Sequence, residues 1–314
     1  MKLHHHIKLF SDTLRAASQH LNIRLEFVEK DYWITLILSR LSESKFMEQA
    51  VFKGGTSLSK AYDLIDRFSE DVDIAIINDT GKSGNKIKTI IRTLEKDITT
   101  DLTEVQTDGV TSKGSRFRKS VFEYAAIETG NANNKVMVEI NSFANPFPFQ
   151  RQRVQSMVSA FLLQTKNETY IDDYHLQPFE VNVLNKEQTL LEKMVALIRF
   201  SFAEHPADSI SEKIRHFYDL YYLMNDHDCA NFIVSSSFKE RFHAILNHDR
   251  ELFEEPVGWQ VKPISESPLI NDFPNIWNQL KEKYRNELSA FAYRPIPDEN
   301  NVAEYVEKLM SRIQ

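Results

Sequence analysis

Apolar and polar residues follow two different periods along this chain, one helical and one strand-like. In the stretch FVEKDYWITLILSRL the apolar positions recur every three or four residues, which predicts a helix with a core-facing side. The members of this stripe are Trp33, Leu36, Ile37 and Leu41. The next stretch, VFKGGTSLSKAY, runs from a short apolar pair through two glycines into a helix-compatible segment. A strand, a tight turn and a helix are therefore expected there.

The stretch DVDIAII alternates between apolar and polar positions, which is typical of a half-buried strand. Val72, Ile74 and Ile76 share one face of this predicted strand. Asp71 and Asp73 share the opposite face, so two carboxylates project in the same direction. The polar stretch NDTGKSGNK then breaks the pattern, and a helix is expected around Ile87 to Leu102.

Two more strands are predicted at VFEYAAI and KVMVEIN, joined by a turn at ETGNANN. The glycine and asparagines of that turn tolerate the positive φ angles that hairpins need. In the second strand Val136, Val138 and Ile140 face together and leave Glu139 on the other side. A third acidic residue thus lies on a strand.

Prolines in NPFPFQ are expected to interrupt regular structure until the short strand FEVNVL, after which Asn185 and Gln188 suggest a capping box for a long helix. A soft boundary near residue 186 separates a strand-rich lobe, residues 1–186, from a helical lobe, residues 187–314. The fold class predicted is therefore α+β, a lobe with a mixed sheet followed by a mainly helical lobe. The apolar faces expected in two helices of the second lobe are Leu190, Leu191, Met194, Val195 and Ile198, then Ile210, Ile214, Phe217 and Tyr221.

Composition excludes several protein classes. The chain has 314 residues, of which 42% are hydrophobic, enough for one large domain or two and too many for general disorder. One cysteine, Cys229, excludes an intramolecular disulfide framework and favours a cytoplasmic protein. No apolar run approaches the roughly 18 to 20 residues that cross a bilayer, so no membrane role is expected. The formal net charge of -7 excludes coating of nucleic acid by charge alone, but local basic patches remain open.

The most informative chemistry joins the glycine turn to the acidic strand. At Gly54 and Gly55 the missing side chains let backbone N–H groups approach a phosphate, and Thr56 and Ser57 add hydroxyl donors. Taken singly, a Gly-Gly pair is usually a turn and a D-x-D strand is often a solvated face. The combination, in this order and with Glu139 beyond it, favours a nucleotide site instead.

Carboxylates on one strand face provide the hard oxygen ligands that suit Mg²⁺ or Mn²⁺ holding a triphosphate. Asp71 and Asp73 are the candidate ligands, and Glu139 would complete the cluster. In a two-metal arrangement, with ions about 3.5 to 4 Å apart, one ion activates an attacking hydroxyl and the other stabilises the leaving pyrophosphate.

These motifs resemble the AbiEii/AbiGii-type toxins, a nucleotidyltransferase-fold family of abortive-infection and type IV toxin-antitoxin systems. FKGGTSLSKAY and IDRFSEDVDIAI resemble the glycine and acidic motifs of the family, and VEKDYW, LLEKMVALIRF and IRHFYDLYYLM resemble its helices. The resemblance spans roughly residues 28 to 225. It implies a metal-dependent enzyme that transfers a nucleoside monophosphate from an NTP to a hydroxyl, expected to be the 3′ end of tRNA, which would block translation. A cognate antitoxin is the implied partner.

The resemblance also implies roles for single residues. Ser69 would line the phosphate site next to the metal ligands, and Lys193 would contact the nucleotide phosphates. Asp219 matches a later acidic residue of the family, and Lys193 and Asp219 would both face the cleft from the helical lobe. A snorkelling lysine, an exposed Asp219–Arg215 pair and a simple turn at Ser69 are the alternatives. Phosphorylation of Ser69 is a further hypothesis.

A loop with four cations is the candidate RNA contact, and its members are Lys113, Arg116, Arg118 and Lys119, with Phe117 available to stack on a base. A solvated hairpin tip explains the loop equally well. Arg151 and Arg153 are a weaker cationic pair. His4 to His6 are given no metal role, and Cys229 is expected to be a buried small hydrophobe.

Two rival functions remain open. The first keeps the chemistry but transfers the nucleotide to a small molecule, as antibiotic nucleotidyltransferases do. The second is a catalytically silent module that binds an NTP or a protein partner.

Overall fold

The computed structural model describes residues 1–78, 83–127 and 134–313. Most of the predicted turn ETGNANN and part of the polar stretch NDTGKSGNK lie outside the described residues. The chain divides into two compact units. Unit 1 comprises Met1–Asp63 and Phe68–Leu184, and unit 2 comprises Leu64–Arg67 and Asn185–Gln314. The boundary predicted near residue 186 differs from this division by about two residues, but the sequence pattern did not indicate that Leu64–Arg67 belongs to the later unit.

Unit 1 contains all the strands that the described residues form. They are β1 (Ala50–Lys53), β2 (Asp71–Ile76), β3 (Thr103–Val105), β4 (Ser112–Lys113), β5 (Phe117–Glu123), β6 (Lys135–Asn141), β7 (Phe149–Val154) and β8 (Phe179–Leu184). Its helices are α1 (Ile7–Leu21), α2 (Leu25–Glu43), α3 (Gly54–Lys60), α4 (Gly84–Ile98), α5 (Met157–Gln164) and α6 (Glu168–Asp173), with single 3₁₀ turns at Leu3–His5 and Met47–Gln49.

The strands form one mixed sheet in the order β3-β5-β6-β2-β1-β8-β7, and β4 pairs with β5. β2 runs parallel to β6, and β1 runs parallel to β8, while the remaining pairs are antiparallel. The central strand β2 therefore lies between β1, which leads directly into the glycine turn, and β6, which carries Glu139. This topology brings three motifs that are distant in sequence onto adjacent strands.

Helix α2 is the central helix of unit 1. It packs on β6 and β8 and also contacts α1, α4 and α5, so it is enclosed on nearly all sides. This explains why the described burial extends far beyond the predicted stripe and includes the charged residues Glu29, Lys30 and Asp31. The apolar faces of β2 and β6 are also fully buried, as their alternation predicted.

Unit 2 consists of helices, so the predicted α+β class is confirmed. They are α7 (Lys186–Phe200), α8 (Pro206–Ser211), α9 (Arg215–Asn225), α10 (His227–Ile233), α11 (Ser237–Leu252), α12 (Pro268–Asn271), α13 (Phe273–Phe291) and α14 (Glu299–Ser311), with 3₁₀ turns at Trp259–Val261 and Ile264–Glu266. The predicted apolar face of α7 is completely buried against its neighbours. Among the described residues, no helix combines the length and the apolar character that a membrane crossing requires.

Three local predictions were wrong. β7 is a regular strand, although prolines precede it; it lies at the edge of the sheet, where a neighbouring proline disturbs little hydrogen bonding. The helix expected through Ile210 to Tyr221 is broken between α8 and α9. The predicted capping box is absent: the Asn185 side chain makes no cap, and the side-chain oxygen of Gln188 accepts from Arg241.

Candidate active site

The glycine turn lies directly against the second aspartate of β2. Helix α3 begins at Gly54, whose φ of 83° is in the left-handed region that favours glycine. A Cβ atom at this position would overlap Oδ2 of Asp73. The glycine is therefore required twice, by its own backbone angle and by the carboxylate that occupies the space of a side chain. The proximity of the turn to the aspartates, expected from the sequence, is present in the structure.

Asp73 is also part of a row of charged residues that crosses four neighbouring strands. β1 places Lys53 opposite Asp73, and β6 places Glu139 opposite Asp73 on its other side. β5 then places Lys119 opposite Glu139, with Lys119 Nζ 4.0 Å from Glu139 Oε2. Directly opposed residues project from the same sheet face. We call these four residues the charged row; its order is cation, acid, acid, cation.

Asp71 projects from the same face, since it lies two positions from Asp73 on β2. We call Asp71, Asp73 and Glu139 the acid set; all three residues are half-buried. Burial raises the pKa of Glu139, Lys119 and Lys53 act to lower it, and Asp71 raises it further. The pKa of Glu139 stays above its ordinary value, so its negative charge is incompletely compensated by the protein.

The acid set has the donor chemistry that Mg²⁺ or Mn²⁺ prefers, three carboxylates accessible from one face. Among the described residues, only His4, His5 and Asp101 bring three metal-ligating atoms within 4.8 Å of one another. The acid set is thus more widely spaced than the ligands of one preformed ion. Binding of a metal ion by the acid set stays a prediction.

The hydroxyl groups predicted to face phosphates have partners within the fold. Thr56 Oγ1 donates to the carbonyl oxygen of Asp71, and Ser57 Oγ donates to the carbonyl oxygen of Gly54 at 2.8 Å. Both side chains are buried and attach α3 to β2 and to its own first turn. Ser69 is buried just before β2. Their contact with a nucleotide, like that of Gly55, stays a prediction.

Unit 2 contains a second set of charges, which is fully enclosed. Asp219 has no exposed surface; Lys193 Nζ donates to its Oδ2 at 2.7 Å. Arg67 donates from Nε to Oδ1 and from Nη2 to Oδ2, each at 2.7 Å. We call Arg67, Lys193 and Asp219 the buried cluster. Burial acts to raise the pKa of Asp219, but Arg67 and Lys193 outweigh it and hold the pKa below its usual range.

The alternative pairing considered for Asp219 was wrong. Arg215 donates instead to Glu287, from Nε to Oε1 at 2.9 Å. Asp219 is held by Arg67, which sequence reasoning missed because the two residues are 152 positions apart. Burial, followed by the charge of Lys193, lowers the pKa of His216 well below its usual value, so this histidine is neutral.

A comparison with protein families decides how these sites are understood. The model described as nucleotidyl transferase AbiEii toxin, type IV TA system, matches residues 36–308, which is most of the chain. The chain belongs to the AbiEii family. The resemblance drawn from the sequence motifs is confirmed. Membership supports an enzyme that acts on a nucleotide, and it implies an antitoxin as partner.

Two solved structures are similar to this AbiEii-family protein. MenT4, a nucleotidyltransferase toxin from Mycobacterium tuberculosis H37Rv, is 14% identical; the match covers 96% of this chain and 99% of MenT4, with a TM-score of 0.49. A protein from H. pylori described as a nucleotidyltransferase is also 14% identical, with coverage of 93% and 96% and a TM-score of 0.49. A search of the curated proteins finds no match.

Three consecutive charged residues of α2 hold segments near the acid set of this AbiEii-family protein. Lys30 Nζ donates at 2.7 Å to Oε1 of Glu70, the residue immediately before Asp71. The Asp31 carboxylate accepts from Lys60 Nζ, at the end of α3, at 2.6 Å. Glu29 accepts the backbone N–H of residue 127, just after β5, at 2.8 Å. The sequence signal was available, since these three charged residues directly precede the long apolar run of the helix.

The cationic segment of this AbiEii-family protein is a strand pair rather than the predicted loop. Lys113 lies on β4 and pairs with Glu104 at 2.6 Å. Arg118 lies on β5 and pairs with Glu95, also at 2.6 Å. Arg116 lies on the exposed turn between these strands. β5 begins earlier than expected because it pairs with β6 along its full length. An RNA contact by these residues stays a prediction.

The remaining residues singled out in the sequence are placed as follows. The Phe117 ring packs against Phe143, with ring centroids 5.9 Å apart. Arg151 pairs with Glu48. The side chain of His4 is buried and its Nδ1 lies 2.8 Å from the Tyr32 hydroxyl, so this histidine is part of the fold. Cys229 is buried, which confirms its prediction.

Proposed function

We propose that this AbiEii-family protein transfers a nucleoside monophosphate from an NTP to the 3′-terminal hydroxyl of tRNA in the cytoplasm, releasing pyrophosphate and blocking translation. The observation that carries the proposal is the packing of Gly54 on Asp73 within the acid set. A backbone without side chains, next to carboxylates that share one face, leaves room for a phosphate chain beside its metal ligands.

In the proposed reaction the acceptor hydroxyl oxygen attacks the α-phosphorus, and the bond from that phosphorus to the bridging oxygen of the β-phosphate breaks. Pyrophosphate leaves with that oxygen, and the hydroxyl proton passes to water. Asp71, Asp73 and Glu139 would hold Mg²⁺ or Mn²⁺, which when bound neutralises phosphate charge. The backbone N–H groups of the glycine turn would face the donor phosphates.

Lys193 is proposed to contact the nucleotide phosphates, as the family resemblance implies. An ammonium group has three N–H donors, and the contact with Asp219 uses one of them. Asp219 then acts by fixing the position of Lys193 rather than by touching metal, because its carboxylate is enclosed and accepts from two cations. A cognate antitoxin is the proposed protein partner.

Incubation with each of four α-³²P-labelled NTPs and total RNA tests the proposal. We expect label in the tRNA fraction with the wild-type protein and none with Asp71→Ala of unchanged circular dichroism. If the label appears only in a small molecule, the acceptor is a small molecule and not tRNA. If Asp71→Ala still arrests growth, the protein acts as a binding module and not as an enzyme.

A further inference from the structure

The two lysines of the charged row have no role in the proposed reaction so far, although Lys119 is one of the candidate RNA contacts. Lys53 and Lys119 lie at its two ends, outside the two acids, and both are half-buried on the face that carries the acid set. The 4.0 Å from Lys119 Nζ to Glu139 exceeds hydrogen-bond distance. Both lysines add positive charge beside the acids, and Lys119 can also reach a phosphate.

The row runs across the strands, so its ends lie on opposite sides of the acids. Three strand spacings separate β1 from β5, about 14 Å in all. In nucleotidyl transfer the attacking and leaving oxygens are roughly in line on opposite sides of the phosphorus. A reaction whose in-line axis follows the row has its leaving pyrophosphate at one end of the row and its acceptor at the other.

The surroundings of Lys53 and Lys119 indicate which end of the row binds the triphosphate and which binds the acceptor. Lys53 directly precedes Gly54, where the backbone carries no side chain and approaches Asp73 closely. A compact, highly charged triphosphate fits that end. Lys119 lies on β5, whose preceding turn carries exposed Arg116. A long polyanion that continues past the site fits this second end.

We propose that the charged row orients the substrates, with Lys53 binding the triphosphate of the donor NTP and Lys119 binding the phosphate backbone of an acceptor RNA. The inference rests on the proposed function and adds the direction of the reaction across the sheet. It assigns substrate contacts to two residues on different strands.

The test compares Lys53→Met, Lys119→Met and the control Lys135→Met, which removes an exposed lysine from the same face of β6 outside the row. Apparent KM values are measured separately for NTP and for RNA, and equilibrium binding of a non-hydrolysable NTP analogue and of tRNA is measured in parallel. We expect Lys53→Met to weaken NTP binding about tenfold and to leave RNA binding unchanged. Lys119→Met should weaken RNA binding and reduce the magnitude of its salt slope by about 1, without affecting the NTP.

The proposal is overturned if both variants weaken the same ligand, or if neither differs from Lys135→Met. The binding measurements test the roles of the two lysines even when wild-type protein shows no transfer to RNA. Absence of transfer would contradict the proposed function and not the assignment of the two lysines. Lys53→Gln and Lys119→Gln replace any methionine variant whose circular dichroism departs from wild type, and the same outcomes apply to them.

Discussion

The charged row of unit 1 and the buried cluster of unit 2 use the same kinds of side chain in opposite ways. In the cluster, Asp219 is completely enclosed and both its oxygens accept from cations. In the charged row, Glu139 is only half-buried, and Lys119 Nζ lies 4.0 Å from its Oε2. The pKa shifts have opposite directions: burial, only partly offset, raises the pKa of Glu139, whereas cations overcome burial and lower the pKa of Asp219.

This difference separates charges that maintain a fold from charges that await a ligand. A buried carboxylate is tolerated only when its partners satisfy it, as Arg67 and Lys193 satisfy Asp219. A carboxylate left undercompensated near the surface costs stability, and a bound cation or substrate removes that cost. The comparison therefore assigns fold stability to the enclosed Asp219 and chemistry to the acid set.

The largest expected effect is on the stability of unit 2. Asp219→Asn leaves Arg67 and Lys193 buried without their counter-charge, and we expect a loss of about 3 to 5 kcal/mol in the free energy of unfolding. Urea denaturation measures it. The control Glu287→Gln breaks the half-exposed pair with Arg215 and should cost about 0 to 1 kcal/mol. Equal losses in the two variants would contradict the comparison.

Acidification should also destabilise unit 2. The pKa of Asp219 is below its ordinary value in the folded state, so its contribution to stability is present above that ordinary value. The contribution is lost as the pH falls through the folded-state pKa. Below about pH 4, wild-type protein should therefore lose stability faster than Asp219→Asn as the pH falls. If the stability of wild type and of Asp219→Asn falls equally with pH, this assignment of Asp219 is wrong.

A smaller effect is expected at the glycine turn. Gly54→Ala forces a Cβ against Asp73 at a positive φ, and we expect a stability loss of about 1 to 3 kcal/mol together with loss of nucleotidyl transfer. Gly109→Ala is the matched control, since Gly109 has a φ of 73° but no atom within 4 Å of the added Cβ. It imposes backbone strain alone, and transfer should persist. Retained activity in Gly54→Ala would show that the Asp73 position is unimportant.

The smallest expected effect is at Glu139. Its pKa is raised in the folded state, so its favourable contribution is present below the ordinary value and is lost as the pH rises through the folded-state pKa. With EDTA present, Glu139→Gln should therefore be slightly more stable than wild type at pH 7 and equal to it at pH 4. Thermal unfolding at both pH values measures the difference, and a destabilised variant at pH 7 would exclude this account of Glu139.

Local patterns predicted the parts of the site that depend on local periodicity. The alternation in β2 fixed the face of Asp71 and Asp73, and the same rule placed Glu139. Strand order brought β6 beside β2, and no local pattern contains that information. The row from Lys53 to Lys119 was not predicted for this reason, because it exists only through register between four strands.

The buried ion pairs of unit 2 could not be predicted from the sequence either, because they join distant segments. Arg67 and Asp219 meet across 152 positions, so neither residue shows its partner in its own segment. The strand β7 was not predicted, because the prolines before it suggested irregular structure. Its place at the edge of the sheet, where such prolines are tolerated, is not visible in the sequence. Helix α7, whose apolar stripe is long and regular, needed no such knowledge.

Binding of Mn²⁺, followed by electron paramagnetic resonance, tests most directly whether the acid set is the reactive centre. Wild-type protein with an NTP analogue should remove free Mn²⁺ from solution, and Asp71→Asn and Asp73→Asn should each lose this binding while remaining folded. Asp219→Asn, measured where it is folded, should retain it. Undiminished Mn²⁺ binding in both β2 variants would contradict the account.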